Sequence, residues 1–443
     1  MIIMKKLMGL FFLFPLFLQA QEIYDLEKCI ETGLAYNYDI RIVRNNQQIA
    51  ENNVTIGNAG YLPTLDFSTD YSGTLNNLQQ QYPTNGDEMI TSKNILNDAV
   101  NLGINLNWTV FDGLAIQTNH TRLKELQEMG ELNTRLAIEN FIAEIAGEYY
   151  NYLQQNIQFN NLKAAVDLSK ERLRIVEANY NIGSMSRLDL QQARVDFNTD
   201  SSRLVKQREM VFSSKITLNT LMGLSDVEKP VMTNDTIIVM DTLPTKEELW
   251  QHALQHNAFL LLSEKEIYLS RLDLKTLQSV NYPYLRINAG YGYTHSRNHN
   301  QLSFYNKQNT LGLNYGVTLG IRIFDGTNRN RQQNNARITI ENRKLEYDQL
   351  LLNIKGDFSN LWMAYQNNMA LLNLEAENVK TAEDNYENAI DRYKLGDLSG
   401  IELREAQNSL LEAEERLVHT QYNTKLCEIS LLQVSGRISA LLN

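Results

Sequence analysis

The sequence predicts a mixed α+β membrane protein of two tandem repeats, each made of two transmembrane β-strands and two long coiled-coil helices. Three observations predict this fold class: motifs recur at fixed offsets, four segments alternate between apolar and polar residues, and long segments carry a heptad period. Proline, which interrupts helices, occurs only six times in 443 residues. The stretches 114–227 and 326–443 contain none, so each can form very long helices.

The segment 1–20 is predicted to be a secretory signal peptide. Lys5 and Lys6 give it a basic start, and the mostly apolar run 7–18 is too short to span a bilayer as a mature helix. An N-terminal membrane anchor is the alternative interpretation. Because no cysteine follows the expected cleavage before Gln21, we expect no lipid attachment at that site.

Net charge, cysteines and histidines narrow the classes of function. The formal net charge of −11 argues against nucleic acid as a partner. Cys29 and Cys427 are the two cysteines, and the sequence leaves their pairing open. His252 and His256 share a predicted helix face, but no third ligand is evident, and no nucleophile motif, phosphate loop or cofactor fingerprint occurs. We therefore predict no metal, no cofactor and no enzyme activity.

The chain repeats a set of motifs in the same order. Two motifs return 213 residues later, and Pro63 returns as Pro283 at an offset of 220. The two motifs are Phe111-Asp112-Gly113 with Phe324-Asp325-Gly326, and Tyr180-Asn181-Ile182-Gly183 with Tyr393-Lys394-Leu395-Gly396. The predicted divisions are 21–223 for the first repeat, 224–245 for a linker with a β-like run at 236–239, and 246–443 for the second repeat.

Strict alternation predicts four strands, at about 64–75, 100–111, 284–295 and 310–324. In the second, the apolar residues Leu102, Ile104, Leu106, Trp108 and Val110 are separated by Gly, Asn and Thr. Strands of roughly ten residues with one apolar and one polar face are typical of a membrane barrel with a wet lumen. A soluble hairpin is the alternative. The polar segments 76–97 and 296–309 are predicted to be extracellular loops.

Four strands cannot close a barrel, because about eight is the practical minimum. Unpaired strand edges are prohibitive in lipid, so the chain is expected to oligomerise. Three chains would give a 12-stranded barrel, and two chains remain an alternative that strand number alone does not exclude.

Four long helices are predicted at about 113–181, 186–222, 326–394 and 399–440. Apolar residues recur in them every seven positions, the period of coiled coils. The first would be on the order of 100 Å long at about 1.5 Å per residue. Polar residues also occupy the seams, which favours a curved wall of helices with water inside; they are Asp200, Gln207, Asn368 and Glu375.

These features together resemble the TolC-type outer membrane factor family over essentially the whole mature chain. The resemblance implies a homotrimer whose 12-stranded β-barrel in outer-membrane lipid is continuous with a periplasmic α-helical barrel. It also implies a passive export duct of a tripartite efflux or type I secretion system, working with a periplasmic adaptor protein and an inner-membrane pump of RND or ABC type. The alternative is a periplasmic or cell-surface coiled-coil structural protein without a channel.

The resemblance assigns roles to the repeated motifs. Phe111-Asp112-Gly113 and Phe324-Asp325-Gly326 are expected to be strand-to-helix junctions, where Asp caps the helix and Gly permits an unusual backbone angle. Tyr180, Gly183, Tyr393 and Gly396 are expected to mark helix-hairpin tips at the periplasmic mouth, where the adaptor docks.

Acidic residues near these tips are candidates for a periplasmic gate that selects ions. Glu402 and Glu405 match positions at which some family members form acidic rings, and Asp189 is the first-repeat equivalent of Glu402. The alternative interpretation is an acidic helix N-terminus stabilised by the helix dipole. Leu398 and Met185 stand where some members carry a basic residue that locks the closed state, so the lock here is absent or differently built.

Overall fold

The computed structural model describes residues 24–81, 89–233, 235–299 and 305–442. The predicted signal peptide 1–20 lies outside this described part. The helices are α1 (Leu26–Tyr36), α2 (Tyr38–Asn53), α3 (Ile56–Ala59), α4 (Ala115–Asn181), α5 (Arg187–Leu221), α6 (Lys246–His256), α7 (Ala258–Ser279), α8 (Asn328–Lys394) and α9 (Gly400–Val434). The strands are β1 (Thr64–Gln81), β2 (Met89–Phe111), β3 (Tyr284–Asn298) and β4 (Lys307–Gly320).

The chain folds into two compact units that each draw on both repeats. The first unit contains α1, α5, α9 and the parts of α4 and α8 that lead to the hairpin tips; its ranges are Met1–Tyr38, Glu139–Leu249 and Ser359–Asn443. The second unit contains all four strands; its ranges are Asp39–Ile138 and Trp250–Phe358.

The strands form one antiparallel sheet in the order β1-β2-β3-β4. The two repeats meet at its centre, where Ile104 of β2 pairs with Tyr291 of β3, which in turn pairs with Leu313 of β4. These side chains share one face and are exposed, Leu313 by 65 %. Because β1 and β4 each have a neighbour on one side only, both edges of the sheet present unpaired backbone groups within the described chain.

The strands are longer at one end than predicted, so the two predicted loops are wrong in extent. β1 continues to Gln81 and β2 begins at Met89, which places most of 76–97 in strand, with a register shift between Asn76 and Leu78. β3 and β4 likewise extend into 296–309. The added part of β1 is almost entirely Asn and Gln, and the apolar residues in the added part of β2 (Met89, Ile90, Ile95 and Leu96) are irregularly spaced. Backbone pairing therefore extends the ladder without an alternating pattern in the sequence.

The last predicted strand also ends earlier than expected, at Gly320 rather than 324. Gly320 pairs with Tyr284, the first residue of β3, and Pro283 directly precedes Tyr284. Since proline has no backbone N–H to donate, the ladder stops there despite the apolar alternation of Ile321 and Ile323.

The long helices begin and end close to the predicted residues, with α4 and α8 each 67 residues long. The exception is α9, which ends at Val434 rather than near 440 because Gly436 adopts a left-handed φ of +71°. The β-like run 236–239 forms no strand: Ile238 is buried, but this extended linker has no neighbouring strand to pair with.

The core of the first unit is built where α4, α9 and the linker meet. Ile145, Tyr149 and Leu431 are fully buried there. Cys29 and Cys427 are both free thiols, and burial raises the pKa of Cys29 to about 12. Across the described ranges, every helix is too polar or too short to be a candidate membrane span.

Candidate functional site

Both Phe-Asp-Gly motifs lie between a strand and a long helix. The Asp112 carboxylate accepts a hydrogen bond from the backbone N–H of Ile116 at 3.1 Å, and Asp325 accepts one from Arg329 at 3.0 Å. Gly113 has a φ of +73°, and a Cβ there would lie 2.2 Å from the carbonyl oxygen of Ser279. These contacts turn the chain from strand to helix, a structural task that needs no catalytic acid.

The two hairpin tips have the same backbone design. Gly183 and Gly396 adopt left-handed φ values of +82° and +80°. Their N–H groups donate to the carbonyls of Tyr180 and Tyr393, at 3.0 and 3.1 Å respectively. The duplicated Tyr-x-x-Gly motif is therefore a helix C-terminus that reverses the chain into the return helix.

Each return helix begins with a capping box. The Glu402 carboxylate accepts hydrogen bonds from Ser399 N at 2.9 Å and Ser399 Oγ at 2.7 Å, while Ser399 Oγ accepts one from Glu402 N. The backbone bond from Ser399 and then its hydroxyl hold the pKa of Glu402 below its usual range. Asp189 forms the same box with Ser186, whose hydroxyl and then backbone N–H lower the pKa of Asp189.

Glu405 is placed differently from Glu402. Its side chain is exposed one helical turn further into α9. Among the described residues it forms no hydrogen bond or ion pair. Glu402 therefore caps the N-terminus of α9, which was one of the two interpretations offered by the sequence. The Glu405 carboxylate, in contrast, is exposed and forms no hydrogen bond or ion pair with any described residue.

Behind the tips lies a group of buried charges that sequence reasoning did not identify as a site. Arg404 of α9 donates two hydrogen bonds to Asp200 of α5, both at 2.6 Å, and Asp200 is fully buried. Ser169 of α4 also donates to Asp200, so one carboxylate joins three helices. The hydrogen bonds to Asp200 raise the pKa of Arg404.

A second buried ion pair lies in the first hairpin. Arg172 of α4 pairs with Asp196 of α5, which also accepts a hydrogen bond from Gln192 at 2.9 Å. We call Ser169, Arg172, Asp196, Asp200 and Arg404 the charge clamp. In the sequence, the charge clamp was indicated only by Asp200, a polar residue in a heptad seam. Its partner Arg404 is 204 residues away, so the sequence did not show that the two are paired.

Apolar residues at the tips fall into a packed set and an exposed set. Leu398 packs on a buried cluster of α8 and α9, and Met185 packs on its counterpart in the first hairpin. The positions expected for a basic lock are therefore packing positions. The exposed set is duplicated at equivalent positions: Ile182 (79 %), Leu188 (77 %), Leu395 (84 %) and Ile401 (74 %).

Comparison with known proteins decides the family. The model of the outer membrane efflux protein family matches residues 29–224 and 249–437, which is most of both repeats. The chain belongs to the outer membrane efflux protein family. The resemblance inferred from the sequence is thereby confirmed.

This outer membrane efflux protein has several distant relatives. It is 20 % identical to the outer membrane efflux protein BepC of Brucella suis over 410 residues, covering 91 % of this chain and 83 % of BepC. It is 22 % identical to the outer membrane protein TolC of Vibrio cholerae over 313 residues, covering 68 % of each. The Campylobacter jejuni CmeC outer membrane channel superposes with a TM-score of 0.74 at 16 % identity, covering 93 % of this chain and 86 % of CmeC, and shows the shared fold.

Family membership places the efflux protein in the outer membrane with a large periplasmic part. It is a homotrimeric export channel that works with a periplasmic adaptor and an inner-membrane pump. The alternative of a coiled-coil structural protein without a channel is set aside.

Proposed function

We propose that this channel passively conducts substrates to the exterior, catalyses no reaction itself, and uses its two hairpin tips as periplasmic gate and adaptor-docking surface. The pump, of RND or ABC type, supplies the energy. The observation that supports this most is the duplicated tip: each repeat ends in a glycine turn, a capping box and exposed apolar residues. The turn and the capping box have structural roles, and the exposed apolar side chains suit a surface that docks another protein.

The gate proposal assigns ion selectivity mainly to Glu405. We expect Glu405→Gln to weaken cation selectivity, because its carboxylate is exposed and unengaged among the described residues. Three copies in the trimer would form a ring that favours cations. Glu402→Gln is expected to have a smaller effect on selectivity, because the Glu402 carboxylate is held by Ser399. The measurement is the reversal potential across a planar bilayer in a potassium chloride gradient, with polyvalent-cation block recorded in parallel.

Asp189→Asn is the matched control for Glu402→Gln, since both carboxylates sit in equivalent capping boxes. Unchanged reversal potential and unchanged block in Glu405→Gln would show that this carboxylate does not line the pore. A loss confined to Glu402→Gln would instead support a ring formed by Glu402.

The docking proposal rests on the exposed apolar set. We expect the pair Ile182→Ser and Leu395→Ser to reduce the amount of adaptor that co-purifies with the channel from cross-linked native envelopes. Burial of these side chains by a partner would stabilise the complex by roughly 1.5–3 kcal/mol for each. Trimer yield is measured in parallel, so that loss of adaptor binding is separated from loss of assembly.

Ile182→Val and Leu395→Val provide the control, because they keep the apolar surface. Equal adaptor recovery with the Ser and Val variants would contradict docking through these residues.

A further inference from the structure

We propose that the outer ends of β3 and β4 carry a binding site for phosphorylated lipid headgroups of the outer leaflet. The site consists of Arg297, Lys307 and His295, and we call it the rim cluster. The proposal rests on the placement of the strands across the outer membrane as an export channel. Such a headgroup site is separate from both the conduction path and the adaptor-docking surface.

The rim cluster lies on the lipid-facing side of the sheet. Arg297 of β3 pairs with Lys307 of β4. Two residues closer to the apolar part of the same face, His295 pairs with Asn309. Below these come Tyr293 with Leu311 and then the rest of the apolar face. Since alternate residues share a face, the cations continue the face that carries the apolar side chains rather than the face that carries Asn and Gly.

The distance along the strand places the rim cluster at headgroup level. From Leu285 to Arg297 the chain rises about 40 Å at roughly 3.3 Å per residue, or about 30 Å across the bilayer at the usual strand tilt. The apolar band of such barrels is about 25 Å tall and is flanked by aromatic residues. Tyr293 lies at the edge of this band, so Arg297 and Lys307 lie just beyond the hydrocarbon.

Among the described residues, no carboxylate forms an ion pair with the cations of the rim cluster. Arg297 and Lys307 are exposed and directly opposite each other, an arrangement in which like charges repel. Arg297 Nε donates to His295 Nε2 at 3.3 Å, and His295 Nδ1 lies 2.6 Å from Asn309 Oδ1. Throughout the described ranges, no carboxylate forms an ion pair with Arg297 or Lys307.

Asp98 is the acid closest in register to the rim cluster. It pairs with Arg297 along the backbone ladder, but its carboxylate is mostly buried and lies 3.9 Å from His299 Nδ1. An external anion would offset the two exposed cations, neither of which forms an ion pair with a described residue. A phosphate monoester fits best, because a guanidinium binds it through paired hydrogen bonds and an adjacent ammonium adds a point charge. Tyr293 beside them suits the interface between acyl chains and headgroups.

The test uses bisphosphorylated lipid A and its dephosphorylated form as probes, with the intact trimer and native mass spectrometry. We expect the wild-type trimer to retain the phosphorylated lipid, and Arg297→Gln/Lys307→Gln to bind it at least tenfold more weakly. Binding of the dephosphorylated lipid should be weak and equal in both. Arg337→Gln/Lys344→Gln, which removes two exposed cations of α8, is the matched control and should bind like wild type.

Equal retention of phosphorylated lipid A by wild type and the rim variant would overturn the proposal. So would complete displacement by millimolar inorganic phosphate, which would mean that the cations bind phosphate without lipid. The trimer mass of the rim variant, read from the same spectra, guards against a folding defect. Channel conductance of the rim variant is measured separately, so failure of lipid binding is distinguishable from failure of the export function.

Discussion

Lys425→Met is expected to destabilise the first unit by about 3–5 kcal/mol, the usual cost of removing one partner of a buried ion pair. The Lys425 side chain is only 2 % exposed, and its Nζ lies 2.7 Å from both Glu428 Oε1 and Asp241 Oδ2. Glu428 is fully buried, so the variant leaves its carboxyl without a cation. The linker loses an anchor as well, since Asp241 is its contact with α9.

The loss in Lys425→Met should depend on pH. Burial raises the pKa of Glu428 to about 7, and Lys425 is the main group that opposes this rise. Without Lys425 the pKa of Glu428 rises further. Because the folded pKa lies above the unfolded value, the stability contributed by protonated Glu428 is fully present below the unfolded pKa and lost as pH rises through the folded pKa. The variant should therefore lose little stability at pH 5.5 and most at pH 8.5.

Thermal unfolding of the detergent-purified protein at both pH values measures this effect. Arg174→Gln is the control, because Arg174 and Glu171 form an exposed pair within one helix and such pairs contribute little. A fall in Tm for Lys425→Met that is the same at pH 5.5 and 8.5, or no larger than that of Arg174→Gln, would contradict the role of the buried pair.

Arg404→Met is expected to loosen the periplasmic mouth. The variant leaves Asp200 buried with only the Ser169 hydroxyl among its side-chain partners, at a cost of about 3–5 kcal/mol. Since Arg404 is the ionic link between α9 and α5 at this level, the second hairpin should separate more readily from the first. We expect a larger single-channel conductance, or a higher open probability, in planar bilayers.

Arg194→Gln is the matched control for Arg404→Met. Arg194 and Glu177 pair at 2.9 Å between α5 and α4 in the same region, but both side chains are about half exposed. Its effect should be small, because exposed pairs typically contribute under about 1 kcal/mol. The double change Arg404→Met/Asp200→Leu removes the orphaned charge but does not restore the link between α9 and α5, so it should regain stability while its conductance stays above the wild-type value. Wild-type conductance in Arg404→Met alone would rule the clamp out.

The sequence predicts the architecture well because each strand, helix and turn is specified by a pattern of neighbouring residues. Alternation reports strand faces, the heptad period reports helix seams, and Gly183 and Gly396 stand where only a left-handed turn continues the chain. The outer ends of β1 and β2 were missed because neither segment alternates: the end of β1 is almost entirely Asn and Gln, and the apolar residues at the start of β2 are irregularly spaced. The prediction that α9 extends to about residue 440 was wrong, because it did not treat Gly436 as a helix end.

The candidate site was predicted only in part. Capping by Glu402 was one of two interpretations, and the deciding contact with Ser399 is local in sequence. The buried pairs Arg404 with Asp200 and Lys425 with Asp241 were not predicted. Each joins segments about two hundred residues apart, and an ion pair between distant segments leaves no periodic trace in a single sequence.

Single-channel recording of the detergent-extracted protein tests the central claim most directly. The trimer, identified as a heat-modifiable species, is added to one side of a planar bilayer. An outer membrane efflux channel predicts discrete, uniform conductance steps that disappear when the sample is heat-dissociated before addition. A purified species that remains monomeric, or a trimer that produces no conductance, would contradict the assignment of this chain as an export channel.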